Sequence, residues 1–108
     1  MIGEPITVAA RVEGDTHRLV VRGTVDRDAA GHIDFLIRHG MWESPTAVMI
    51  DLSRVEHVSD ALIGALRRAS RRLASRDRRL TIVCPQLDLR RHLELAGLDE
   101  LADVTPMR

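Results

Sequence analysis

Residues 48–83 read VMIDLSRVEHVSDALIGALRRASRRLASRDRRLTIV, and the change of period inside them decides the architecture. The apolar run over 46–52 (TAVMIDL) is short and nearly continuous, the pattern of a strand covered on both faces. Residues 53–59 are mostly polar. From Asp60 the period becomes helical: Leu62, Leu66, Ala69 and Leu73 follow at i, i+4, i+7 and i+11. At about 100° per residue these four fall on one narrow face. Residues 79–84 (RLTIVC) return to a strand pattern, which Pro85 ends. Strand, helix and strand in that order imply parallel neighbours joined by a right-handed crossover.

Toward the N-terminus, Ile6, Val8, Ala10 and Val12 alternate across residues 5–13, giving a strand with one apolar face. Gly14 and Asp15 signal a turn, and residues 17–23 (HRLVVRG) form the second arm of a hairpin. Asp26 can cap a helix whose inner face carries Ala30, Ile33 and Ile37. Gly40 is expected to stop it, with 41–45 (MWESP) as loop. Toward the C-terminus, a helix over 86–96 aligns Leu89, Leu93 and Ala96. Gly97 sits where a left-handed cap belongs, Leu98 can fold back on the helix end, and a short strand can follow at 101–105. The expected order is β-β-α-β-α-β-α. This is an α/β chain, residues 1–108 forming one domain, with a small mixed sheet and helices mainly on one face.

Composition narrows the function. Phe35 and Trp42 are the only aromatic residues, so the core is aliphatic and base stacking on aromatic platforms has little to work with. All 16 basic residues are Arg, against 16 acidic ones. Residues 54–79 carry a local charge of +5. On the second helix, Arg67, Arg68, Arg71 and Arg72 oppose the Leu stripe. With zero net charge and no nucleic-acid motif, a solvated outer face explains them better than direct nucleic-acid binding. A lone Cys84, no apolar run near ~20 residues and no signal-peptide pattern at the start point to a cytoplasmic protein with no membrane span.

Three segments, taken together, resemble the sulfate transporter and anti-sigma factor antagonist (STAS) domain family, of the anti-anti-sigma factor type. They are GTVD at 23–26, the stretch at 48–83 quoted above, and LRRHLELAGLDEL at 89–101. The match runs in order and without gaps over roughly 5–105. The resemblance implies a non-enzymatic bacterial module that binds a serine-kinase-type anti-sigma factor and so controls sigma-factor-dependent transcription, as in stress responses. It also implies that the kinase phosphorylates a Ser at the start of the second helix. A helix N-terminus accommodates a phosphate well, while the added charge disturbs an interface.

The family's acceptor run is typically Asp-Ser-Ser-Gly. Here it is Ser59-Asp60-Ala61-Leu62, so Ala61 occupies the acceptor position and lacks a hydroxyl. Three readings stay open: a member that is never phosphorylated, a fixed charge from Asp60 that partly imitates phosphate, or Ser59 as a displaced acceptor. Ser59 also reads simply as an N-cap, with Asp60 complementing the helix dipole. Asp26 matches the Asp that closes the family's first motif, and also reads as a plain cap. The expected partner surface comprises Thr24, Asp26, His57, Ser59, Asp60, Leu62, Ile63 and Gly64. Gly64 falls on the outer helical face, where Gly costs up to ~1 kcal/mol against Ala, so close approach of a partner is one explanation.

No spacing among the five His and Cys84 suits a metal, and no Gly-rich loop cradles phosphates. His57, Ser59 and Asp60 are near in sequence, but a triad requires a base oriented in space. Asp51 reads as marking the end of the central strand and pairing with loop N–H groups. No cofactor is expected, and the chain is expected to be a monomer or weak homodimer. The alternative function is a ligand-sensing or scaffold domain of the same fold with no sigma-factor partner.

Overall fold

A computed structural model describes residues 7–23, 27–43 and 47–107. The elements run β1 (Thr7–Glu13), β2 (Thr16–Gly23), α1 (Arg27–Glu43), β3 (Ala47–Val55), α2 (Asp60–Ala74), β4 (Leu80–Val83), α3 (Leu87–Leu95), α4 (Leu98–Leu101) and β5 (Asp103–Thr105). The strands lie side by side in chain order, β1-β2-β3-β4-β5. β1 and β2 form the antiparallel hairpin, and every later pairing is parallel.

Alternation along the strands sorts the side chains onto two faces. Leu19, Val21, Val48, Ile50, Leu52, Leu80 and Ile82 point to one face, where they join α1, α2, α3 and α4 in a single buried cluster. Ala30, Ile33 and Ile37 come from α1, Leu62, Leu66, Ala69 and Leu73 from α2, and Leu93 and Leu98 from the closing helices. The other face carries Arg18, Val20, Arg22, Asp51 and Ser53, and the helices leave it uncovered.

Several boundaries depart from the sequence reading. α1 passes through Gly40 and runs to Glu43. A helical Gly costs about 1 kcal/mol but does not forbid the helix. β3 continues to Val55, because residues 54 and 55 still pair with β2 through Arg22↔Arg54 and Gly23↔Val55. The apolar face expected on β1 is only partly used: Val8 packs against the core, but Val12 is 61% exposed at the sheet edge. Gly97 is left-handed (φ 80°), and Leu98 is fully buried as expected.

Asp51 does not sit at a strand end. It lies within β3, where its carboxylate accepts from Arg18 Nη2 at 2.7 Å and from the Ser53 backbone N–H at 2.9 Å. Burial alone would raise this carboxyl, but hydrogen bonds from Ser53 and Arg18 outweigh it and hold it below the ordinary carboxylate range. The register pairs Arg18 with Met49 and Val20 with Asp51, so the ion pair is diagonal across two strands.

Beyond Asp51, β3 has outrun β4. The Gln86 amide nitrogen meets the stranded carbonyls there, reaching Leu52 O at 3.0 Å, Ser53 O at 3.1 Å and Val55 O at 2.8 Å. Gln86 stands at the N-cap of α3 yet makes no side-chain cap. Its side chain instead ties the start of α3 to the exit of β3, the segment that delivers the chain to α2.

Candidate partner-binding surface at the start of α2

α2 begins at Asp60 because Ser59 caps it. Ser59 has extended backbone geometry (φ −96°, ψ 162°), and its hydroxyl oxygen accepts from the Leu62 N–H at 3.1 Å. One of the four orphan donors of the first turn is thereby satisfied. Asp60 is exposed at the positive end of the helix dipole.

The helix then divides its residues between core and groove. Leu62 is fully buried. Its side chain fills the core and is unavailable to a partner, which corrects the expectation that it lies on the binding surface. Ile63 and Ala61 are half-buried and pack against the core, and His57 is exposed on the approach to the helix. Gly64 is not on the outer face. It lines a groove of about 520 Å³ between α1 and α2, with Arg27, Ala30, Gly31, Asp60, Ala61 and Arg68. The drift of packing around a real helix pair, set by where α1 lies, decides this placement, and periodicity along α2 alone does not reveal it.

The groove has a small-residue floor and a charged rim. A Cβ added at Gly31 would meet nothing within 4 Å, and one at Gly64 would meet only the tip of Arg68, Nη1, at 3.3 Å. The fold itself therefore does not demand glycine at either place, and both helices carry a residue of poor helix propensity facing the same open space. Arg68 reaches across to α1, with Nε 3.7 Å from Asp34 Oδ2. Arg67, expected to be solvated with it, instead donates to Ala96 O at 2.6 Å and fastens α2 to the end of α3. Arg71 and Arg72 do face solvent.

Gly23 closes β2 in the left-handed region (φ 84°). Thr24 and Asp26, the other expected partner residues, lie outside the described residues. Sequence reasoning missed Gly31, Arg27 and the Arg68–Asp34 bridge, because each depends on how α1 lies against α2. Among the described residues, no group of His, Cys, Asp or Glu could hold a metal ion, and no helix is long and apolar enough to cross a membrane.

A five-stranded mixed sheet with helices packed on one face, and a capped, exposed start to α2, define a SpoIIAA-like α/β domain. A family model described as "Mlab, STAS domain" matches residues 8–105, and the chain belongs to the STAS domain family. Among solved structures it is similar to an anti-sigma factor antagonist from Mycobacterium paratuberculosis, at 25% identity over 95% of this chain and 87% of that one, with a TM-score of 0.84. SpoIIAA of Bacillus in its phosphorylated form superposes at a TM-score of 0.71 with 17% identity, covering 94% of this chain and 91% of that one. A Ser-to-Glu variant of RsbS from Moorella thermoacetica gives 0.79 with 18% identity, covering 94% and 86%. No curated protein matches the chain in sequence.

Proposed function

We propose that the chain is a non-enzymatic regulatory module, an anti-sigma factor antagonist that docks a serine-kinase-type anti-sigma factor on the start of α2 and the α1–α2 groove. The observation that carries this reading is the groove itself: two helix-interior glycines that the core does not require, next to an exposed Asp60 and the Ala61 position. A backbone or small side chain of a partner can approach closely there. The resemblance in structure to an anti-sigma factor antagonist supports the same role.

Ala61 removes the hydroxyl at the family's acceptor position, so binding here is not switched off by phosphorylation at that place. Ser59 is a poor substitute, since its oxygen already serves the Leu62 N–H and modification would disturb the cap. Asp60 supplies a permanent single charge one residue earlier. The second reading, a scaffold or ligand-sensing domain without a sigma-factor partner, is favoured by the same missing hydroxyl.

The deciding experiment is calorimetric titration of the chain with the serine-kinase-type anti-sigma factors of its own genome. Wild type binds one of them, and Asp60→Lys weakens the complex by about tenfold or more, as expected for reversing a charge in an interface. Incubated with that kinase and ATP, Ala61→Ser gains one phosphate by mass spectrometry while wild type stays unmodified. Absence of any such complex, or an affinity indifferent to Asp60→Lys, overturns the antagonist reading and leaves the scaffold.

A further inference from the structure

The uncovered face of the sheet, on the far side from α2, holds a second concavity of about 360 Å³ lined by Ala9, Arg11, Arg18, Val20, Arg22, Asp51, Ser53 and Arg54. Four guanidiniums and one carboxylate meet there in a chain whose total charge is zero.

Its construction runs against ordinary sheet chemistry. Arg11 and Arg18 are register partners across β1 and β2, and Arg22 and Arg54 are register partners across β2 and β3. Like charges placed directly opposite destabilise a sheet. The second pair exists only because of a bulge. Between Val20↔Asp51 and Arg22↔Arg54, two steps on β2 oppose three on β3. Strict alternation would put residue 54 on the same face as the buried Leu52. With the extra residue, Ser53 and Arg54 are both exposed and Val55 returns to the core at 1% exposure. Bulges of this kind re-aim side chains at sites.

Among the described residues, only Arg18 of the four finds a carboxylate. Asp51 is committed to Arg18 and the Ser53 N–H. Arg18 has a second, longer contact to Glu13 at 3.5 Å, and its Nε is buried with no acceptor. Among the described residues, none pairs with Arg11, Arg22 or Arg54. Asp51 therefore acts as a brace that holds Arg18 upright and does not neutralise the rest. Val20 and Ala9, register partners on β2 and β1, line the concavity between these charges.

We propose that this concavity is an anion site for a phosphate-bearing ligand of at least two negative charges. Planar guanidiniums present paired donors that match phosphate oxygens. The volume suits a small ligand or a headgroup. The site is independent of the α1–α2 surface and of the role proposed for it.

The test is calorimetry with inorganic pyrophosphate at low salt, together with sedimentation on phosphatidylcholine vesicles with and without phosphatidic acid. Three proteins are compared: wild type, Arg22→Gln/Arg54→Gln, and Arg71→Gln/Arg72→Gln, which removes equal charge from exposed positions on α2. Wild type and the α2 variant show the same saturable binding. The Arg22/Arg54 variant loses about tenfold or more, the loss expected for removing charge-assisted hydrogen bonds. Its urea midpoint is not lowered, since a like-charge pair has been removed. Binding of pyrophosphate identifies a free phosphate ligand, and binding only to phosphatidic acid vesicles identifies a headgroup. If neither probe binds saturably, or if the two double variants lose affinity equally, the site does not exist.

Discussion

Asp51 shows how much a single buried carboxylate can organise. It joins β2 to β3 through Arg18 and closes the start of the bulge through the Ser53 N–H. Its pKa is held below the usual ~3.9 of an Asp. The linked stability is therefore complete above that unfolded value and is lost as pH falls through the lower folded value. Asp51→Asn should cost about 1–3 kcal/mol at neutral pH, because Asn offers one acceptor oxygen for the two bonds and removes the charge that balances Arg18. Urea unfolding from pH 7 down to pH 2 should then show a shallower acid decline in the variant than in wild type. An equal decline in both would mean that Asp51 does not set the acid limit. In the sequence, Asp51 was visible as an acidic residue beside an apolar run, but its partner was not. Finding Arg18 requires the register of β2 against β3, and no local pattern encodes a diagonal contact between residues 33 positions apart.

Elements were legible where period and punctuation agreed. The α2 stripe, the strand at β4 and the Gly97 cap follow directly from residue spacing, since each is fixed by contacts within its own segment. What failed were features set by neighbours. β3 runs past its apolar stretch because β2 and Gln86 satisfy its backbone, and Gly64 turns inward because α1 lies beside it. The start of α2 shows the legible kind, as Ser59 is both the expected cap and the observed one. Ser59→Ala should lower stability by about 1 kcal/mol, measured as a shift in the urea midpoint with an unchanged slope. Should Ser59 prove dispensable for stability, the capping role is wrong and its hydroxyl is available for other chemistry.

At the scale of the whole molecule, one cluster joins the four helices to one face of the sheet, so the described residues have no second core that could melt alone. Cys84 reports on this. It is fully buried at the end of β4, and burial pushes its thiol up, away from the reactive thiolate. Native protein should resist alkylation, and the urea dependence of labelling should coincide with the loss of helical circular dichroism. Labelling that rises well before the helices melt would reveal local opening around β4 and α3. The two faces of the sheet also divide the proposed work. The helices on the covered face carry the surface proposed for a partner, and the open face holds the arginine concavity.

The sheet order β1-β2-β3-β4-β5 repeats the order of the chain. Each strand therefore leaves the ribosome after the neighbour it must join, and no early strand waits for a later one to be inserted beside it. Growth proceeds at one advancing edge, from the β1–β2 hairpin outward. The vulnerable moment falls before β5 emerges: until Thr105 O is present to accept from the Cys84 N–H, the far side of β4 is an open edge. Deleting residues 103–105 should thus harm solubility during synthesis more than an equal loss of contacts elsewhere, read as the soluble fraction on expression.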